Sequence, residues 1–131
     1  MGQVRYQNQE CRQVKNTTGS TLAKGVWVKL NAFPTVEDEI ELEDSNTGAI
    51  YGVTAYEIED GKMGDVVIRG RAAVLAGGTI AVGARVMPTT DGKSLTATIG
   101  SSVGGLAVTA GVADAYHEVE LLGPGGAEMP G

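Results

Sequence analysis

The sequence predicts an all-β fold, a small Gly-rich β-barrel or β-sandwich with an extended N-terminal arm. Three observations predict it. First, Gly64 to Val86 reads as strand, Gly-Gly turn, short crossover and strand, and its first strand alternates with a period of two: Val66, Ile68, Ala72 and Val74 share one parity with Gly70, while Asp65, Arg69 and Arg71 share the other. That is the pattern of a strand with one buried and one wet face. Second, glycine makes up 20 of the 131 residues with no collagen period, and helix formers nowhere recur at helical spacing. Glycines in such a chain mark turns and bulges, and the Val and Thr spread among them favour strands. Third, Thr21-Leu22-Ala23-Lys24-Gly25-Val26-Trp27-Val28 and Thr79-Ile80-Ala81-Val82-Gly83-Ala84-Arg85-Val86 both fit T-[LI]-A-x-G-x-x-V. An echo follows each copy, Ile50 to Thr54 and Val103 to Ala107, which reads as an internal duplication too short to be a solenoid.

The length suits one domain. The expected division is an arm over residues 1–17, a β domain over 18–122 and a flexible tail over 123–131, the last because GPGGAEMPG offers nothing to pack. Within the arm, Arg5, Arg12 and Lys15 outweigh Glu10, so residues 1–16 carry +2 and the remaining chain −8. Val4, Tyr6 and Val14 share a parity, so the arm is expected to become a strand on a partner or a neighbouring subunit, not on its own body. Gly25 to Leu30 is the first strand, with Val26, Val28 and Leu30 facing one way. Trp27 faces the other way and is either core or interface. Ile40 and Leu42 alternate with Glu39, Glu41 and Glu43, the pattern of a solvated acidic edge. Ala49 to Ile58 is a strand with Tyr51, Tyr56 and a bulge candidate at Gly52. Glu59 to Gly64 is a hairpin loop into the central strand. Gly77-Gly78 is expected to supply the positive φ of a sharp reversal. Asp91-Gly92 signals a hairpin, and Leu95–Ile99, Gly104–Ala110 and Ala115–Leu122 complete the strands.

The net charge of −6, with basic residues scattered, argues against a nucleic-acid partner. No signal peptide and no apolar run near the length of a span is present, so neither export by the usual route nor a membrane partner is expected. Cys11 is the only cysteine and His117 the only histidine, which leaves no structural zinc set and no internal disulfide. The acidic run lacks the order of an EF-hand loop. No cofactor is expected.

Two motifs invite chemistry. Gly100-Ser101-Ser102-Val103-Gly104 fits the nucleophile elbow, but that motif needs a strand before it, a helix after it and a base. No helix follows Ser102, and His117 falls in a strand pattern, so the chain is not expected to be an enzyme. Gly61-Lys62-Met63 partly resembles the modifiable hairpin lysine of biotinyl and lipoyl carriers. A carrier or accessory domain of a metabolic complex, with Lys62 as attachment site, is therefore the alternative function.

The order T-L-A-K-G-V-W-V, G-A-I-Y-G-V-T, G-D-V-V-I-R-G-R-A-A-V, G-G-T-I-A-V-G-A-R-V, D-G-K and E-V-E-L-L, over residues 18 to 122, resembles the small capsid decoration (cement) proteins of tailed bacteriophages. The acidic segment at 36–44 and the long polar arm depart from that family. The resemblance implies a virion protein that is made in the host cytoplasm, forms a homotrimer, binds the major capsid protein on the outer capsid surface and stabilises the shell. On that reading Val4, Arg5, Tyr6 and Arg12 of the arm, with Trp27, Tyr51 and Tyr56 of the body, are the candidate partner-binding residues.

Overall fold

The computed structural model describes residues 9–30, 39–42, 50–89, 92–98, 101–123 and 127–128. Among them every regular element is a strand: β1 (Glu10–Asn16), β2 (Trp27–Leu30), β3 (Glu39–Leu42), β4 (Ile50–Thr54), β5 (Met63–Leu75), β6 (Arg85–Pro88), β7 (Ser94–Thr96), β8 (Ser102–Val103), β9 (Gly105–Ala107), β10 (Tyr116–Leu121) and β11 (Ala127–Glu128). The all-β class and the long central strand are as the alternation implied.

One nine-stranded sheet runs β1-β3-β2-β4-β5-β10-β9-β6-β7, and β1 pairs again with β5. The sheet therefore curls into two rings that share the 13-residue strand β5. In the first ring β1 lies parallel to β3, and the pairs β3·β2, β2·β4, β4·β5 and β5·β1 are antiparallel. The second ring repeats the scheme. Ala76, next after β5, bridges Ser94 in parallel, and β7·β6, β6·β9, β9·β10 and β10·β5 are antiparallel. The first half of β5 closes one ring and its second half opens the next. Gly70, at φ +92°, sits where the strand passes between them, a backbone region that glycine enters without penalty.

The duplication goes deeper than its sequence trace. Four times a bridging residue is followed, three positions on, by a residue at positive φ and, five positions on, by a strand: Leu22, Gly25, Trp27; Ile58, Gly61, Met63; Ile80, Gly83, Arg85; and Gly111, Asp114, Tyr116. Leu22 and Ile58 exchange backbone hydrogen bonds, as do Ile80 and Gly111. The positive-φ residues donate their N–H groups to the carbonyls of Thr54, Asn16, Ala107 and Ala76. Those four acceptors, all buried, donate back to Val26, Lys62, Ala84 and Ala115. The turns Glu59–Lys62, Ala81–Ala84 and Val112–Ala115 close with a backbone bond between their ends and the third-position positive φ that a type II turn requires. At the remaining turn the Thr54 hydroxyl takes that place, accepting from Val26 N–H and donating to Ala23 carbonyl. Asp114 is the one non-glycine at such a position among the described residues (φ 64°), and Asp is among the few side chains that tolerate it.

Each ring has an apolar interior. Val14, Leu22, Val28, Ile58, Val66 and Ile68 fill the first; Val74, Ile80, Val86, Val119 and Leu121 stand at the equivalent places in the second. Gly52 and Gly105 are also equivalent. A Cβ on either would fall against a backbone carbonyl of the neighbouring strand, Val67 and Glu120 respectively. Side-chain sizes are exchanged at one pair of positions. Gly64 leaves room for Ile58 in the first ring, and His117 and Gly111 stand in their places in the second.

Several expectations need correction. The arm does not wait for a partner over its described part. Glu10–Asn16 pairs with β5, because Val14 is buried and the Asn16 amide is fully buried, donating to the carbonyls of Ser20 and Ile58 at 2.8 Å each. The tail is not structureless throughout, since Ala127–Glu128 pairs with β8. The acidic strand β3 is not an edge, because it bridges β2 and β1 and so closes the first ring. The second face of β5 is not wholly wet, for Val67 is as buried as Val66. Gly77 and Gly78 do not use positive φ. Gly77 instead donates its N–H to Ser94 carbonyl at 2.7 Å, an approach that lies close to the ring closure. The expected bulge is present at β4. Val28 opposes Gly52 and Lys29 opposes Ile50, which leaves Tyr51 as the extra residue.

Candidate partner-binding surface

The sequence candidates do not converge on one surface. Val4, Arg5 and Tyr6 lie outside the described residues. Arg12 is exposed on β1, where its guanidinium pairs with Glu10 at 3.0 Å, and Glu10 in turn reaches Arg69 at 3.6 Å. Part of the arm's positive charge is thus spent locally on an exposed pair, which contributes little to stability. Tyr51, the bulge residue, is half-buried and packs against the first-ring core. Tyr56, in the turn after β4, is 59% exposed.

Trp27 is corrected from candidate interface to core. It is 1% exposed. Its N–H donates to Gly92 carbonyl at 2.8 Å, and its indole Nε1–H donates to Ser94 Oγ at 3.0 Å. Its six-membered ring lies over Gly104, where any Cβ would strike it. All three partners belong to the second ring, so Trp27 is the joint between the rings. Val53 and Val67 are buried on the same face of the first ring. The equivalent second-ring positions are Arg85, Leu106 and Glu120, all exposed, with Glu120 paired to Arg71. The period-two pattern left Trp27 as either core or interface because nothing in the local sequence says that a second ring covers its face.

The chemical motifs are placed as follows. Ser102 lies in β8, paired with β11, with no helix after it. The adjacent Ser101 hydroxyl donates to Thr98 carbonyl and accepts from Thr98 N–H, so it is engaged within its own segment. His117 is buried on β10 against Val74. Its Nδ1 lies 3.3 Å from Thr109 carbonyl and its Nε2 has no hydrogen-bond partner. Lys62 is exposed at a turn tip, but Val26, Ala84 and Ala115 occupy the equivalent places in the other three turns. The tip is a property of the fold and singles out no lysine. Among the described residues no three His, Cys, Asp or Glu side chains gather as a metal site, and no helix is long and apolar enough to cross a membrane.

Sequence reasoning missed the loops around Ile80 and Gly111. There Val82 and Val112 stand exposed beside a bridge that the sequence shows only as a glycine-rich stretch. Two signals were in reach: the repeat itself, and the lack of charge on both loops.

Neither a protein-family model nor a curated protein sequence matches the chain. In fold, the chain is similar to the N base of the head fiber gp8.5 of bacteriophage phi29, with a TM-score of 0.69 and 18% identity, covering 86% of this chain and 93% of that one. At that identity the likeness is one of fold.

Proposed function

We propose that this chain is a structural protein of a phage virion. It binds the outer surface of the head through the major capsid protein, stabilises the shell and acts as a homotrimer without catalysing a reaction. The observation that carries the reading is the fold shared with a head fiber base over nearly the whole of both chains. The spacing of apolar residues and glycines that resembles decoration proteins points to the same class, but it reads the same fold and adds no separate support. The non-enzymatic part of the reading is supported by Ser102, which sits on a short paired strand and not on a strand-to-helix elbow. Among the described residues, Arg12 and Tyr56 are the exposed sequence candidates for contact with the shell.

The test uses particles from the phage that encodes the chain. Mass spectrometry of purified virions should find it, and heads made without it should bind the purified protein to saturation in a sedimentation assay. Bound heads should withstand heating better than bare heads, and Ser102→Ala should bind equally well. Virions that lack the chain, together with heads that fail to take it up, would refute the proposal.

A further inference from the structure

The two bridged loop pairs are built alike and surfaced differently. The Leu22–Ile58 pair displays Lys24, Glu57, Glu59, Asp60 and Lys62, all exposed. The Ile80–Gly111 pair, with the same bridge and the same turns, has no charged residue from Gly77 to Ala84 or from Gly105 to Ala113. It displays Ala81, Val82, Ala110, Val112 and Ala113, with Val82 66% and Val112 63% exposed. Val82 stands where the first ring has Lys24, and Val112 where it has Glu59. The chain thus carries its own control. This backbone arrangement forms with charged residues at those places, so folding does not call for valine there. Apolar surface left in water gains about 25 cal/mol per Å² only when something covers it.

We propose that the Val82–Val112 loop pair is a self-association surface, on which copies of this chain meet patch to patch about a symmetry axis. The proposal deepens the oligomer reading above by naming its surface. Charge selects the occupant. Each copy carries −6, and an approach through the first loop pair would set Glu57, Glu59 and Asp60 against their counterparts. An approach through the second sets no like charges together. The acid that borders it, Asp114, is paired with Lys93 at 2.6 Å. What complements this patch is a neutral apolar surface, and other copies of the chain present one when the same patch of each faces a shared symmetry axis. Two valines and three alanines fall well short of the ~800 Å² per partner of a stable interface. The contact is therefore weak in dilute solution and fills where copies are held close together.

The test is sedimentation velocity of the full chain from about 10 µM to about 1 mM, a span in which weak contacts register. The wild type should show a mass average that rises with concentration. Val82→Glu combined with Val112→Glu should lower the association constant at least about tenfold, with circular dichroism and thermal unfolding unchanged. A double variant that associates like the wild type would keep an oligomer but overturn this surface. A wild type that stays monomeric throughout would overturn the self-association itself. Either result leaves the binding of heads, read by co-sedimentation, as a separate question.

Discussion

Ser94→Ala tests the joint between the two rings with one atom. The Ser94 hydroxyl is fully buried and accepts the Trp27 indole N–H at 3.0 Å. Removing it leaves that N–H buried without a partner, a loss of about 1–3 kcal/mol. Trp27→Phe removes the other side of the bond and some ring volume, and Trp27→Ala removes the whole side chain, for which about 3–5 kcal/mol is usual. In the double variant Trp27→Phe with Ser94→Ala the hydrogen bond is lost only once, so the two single costs should exceed the double cost by about 0.5–3 kcal/mol. The assay is urea unfolding of the wild type and these variants, followed by circular dichroism so that loss of the only tryptophan does not remove the probe. A coupling below about 0.3 kcal/mol would mean that the bond contributes nothing to the joint and would refute the reasoning.

Gly52→Ala and Gly105→Ala should each cost about 1–3 kcal/mol in the same assay, because each new methyl meets a strand carbonyl that can yield only by moving backbone. A cost under about 0.5 kcal/mol for either would count against the close approach. Cys11 is exposed on β1, yet its thiol is pushed above its ordinary value of 9.0, by partial loss of water around the sulfur first and by the Asp65 charge second. The folded chain then holds this proton to higher pH than the unfolded chain does. Its contribution to stability is complete below 9.0 and lost as pH rises through the folded value. Alkylation of Cys11 against pH should show a midpoint above that of the urea-unfolded protein, and Asp65→Asn should return it only part of the way. A midpoint at or below the unfolded one would contradict this.

Much of the fold was legible because period-two alternation is a local property. Val66, Ile68, Ala72 and Val74 announce β5, and the T-[LI]-A-x-G-x-x-V pair announces two of the four turns. The other two escaped because what recurs there is a backbone conformation. Glu57-Ile58-Glu59-Asp60-Gly61 and Ala110-Gly111-Val112-Ala113-Asp114 share a bridge and a positive φ but hardly any side chain. Strand β1 was misread for a related reason. Its anchor is Asn16, a polar residue whose burial depends on carbonyls brought by Ser20 and Ile58, and no polarity scale marks it as core. Trp27 was ambiguous because the partners that cover it lie about 65 to 77 residues further along the chain. Of the candidate surface, the sequence offered the arm and the aromatics, while the paired valine loops required the second ring to be seen beside the first.

The sharing of β5 also sets a timetable for synthesis. Every pairing of the first ring lies within the first 69 residues, so that ring has all its partners before the rest of the chain is made. Its outward face of Trp27, Val53 and Val67 must then wait for Gly104, some 35 residues later. At about 5–20 residues per second that interval lasts roughly 2–7 s. Were the first ring to close that early, it would show water an aromatic and aliphatic surface until its own second ring arrived. Slow translation between residues 69 and 104 would lengthen the exposure.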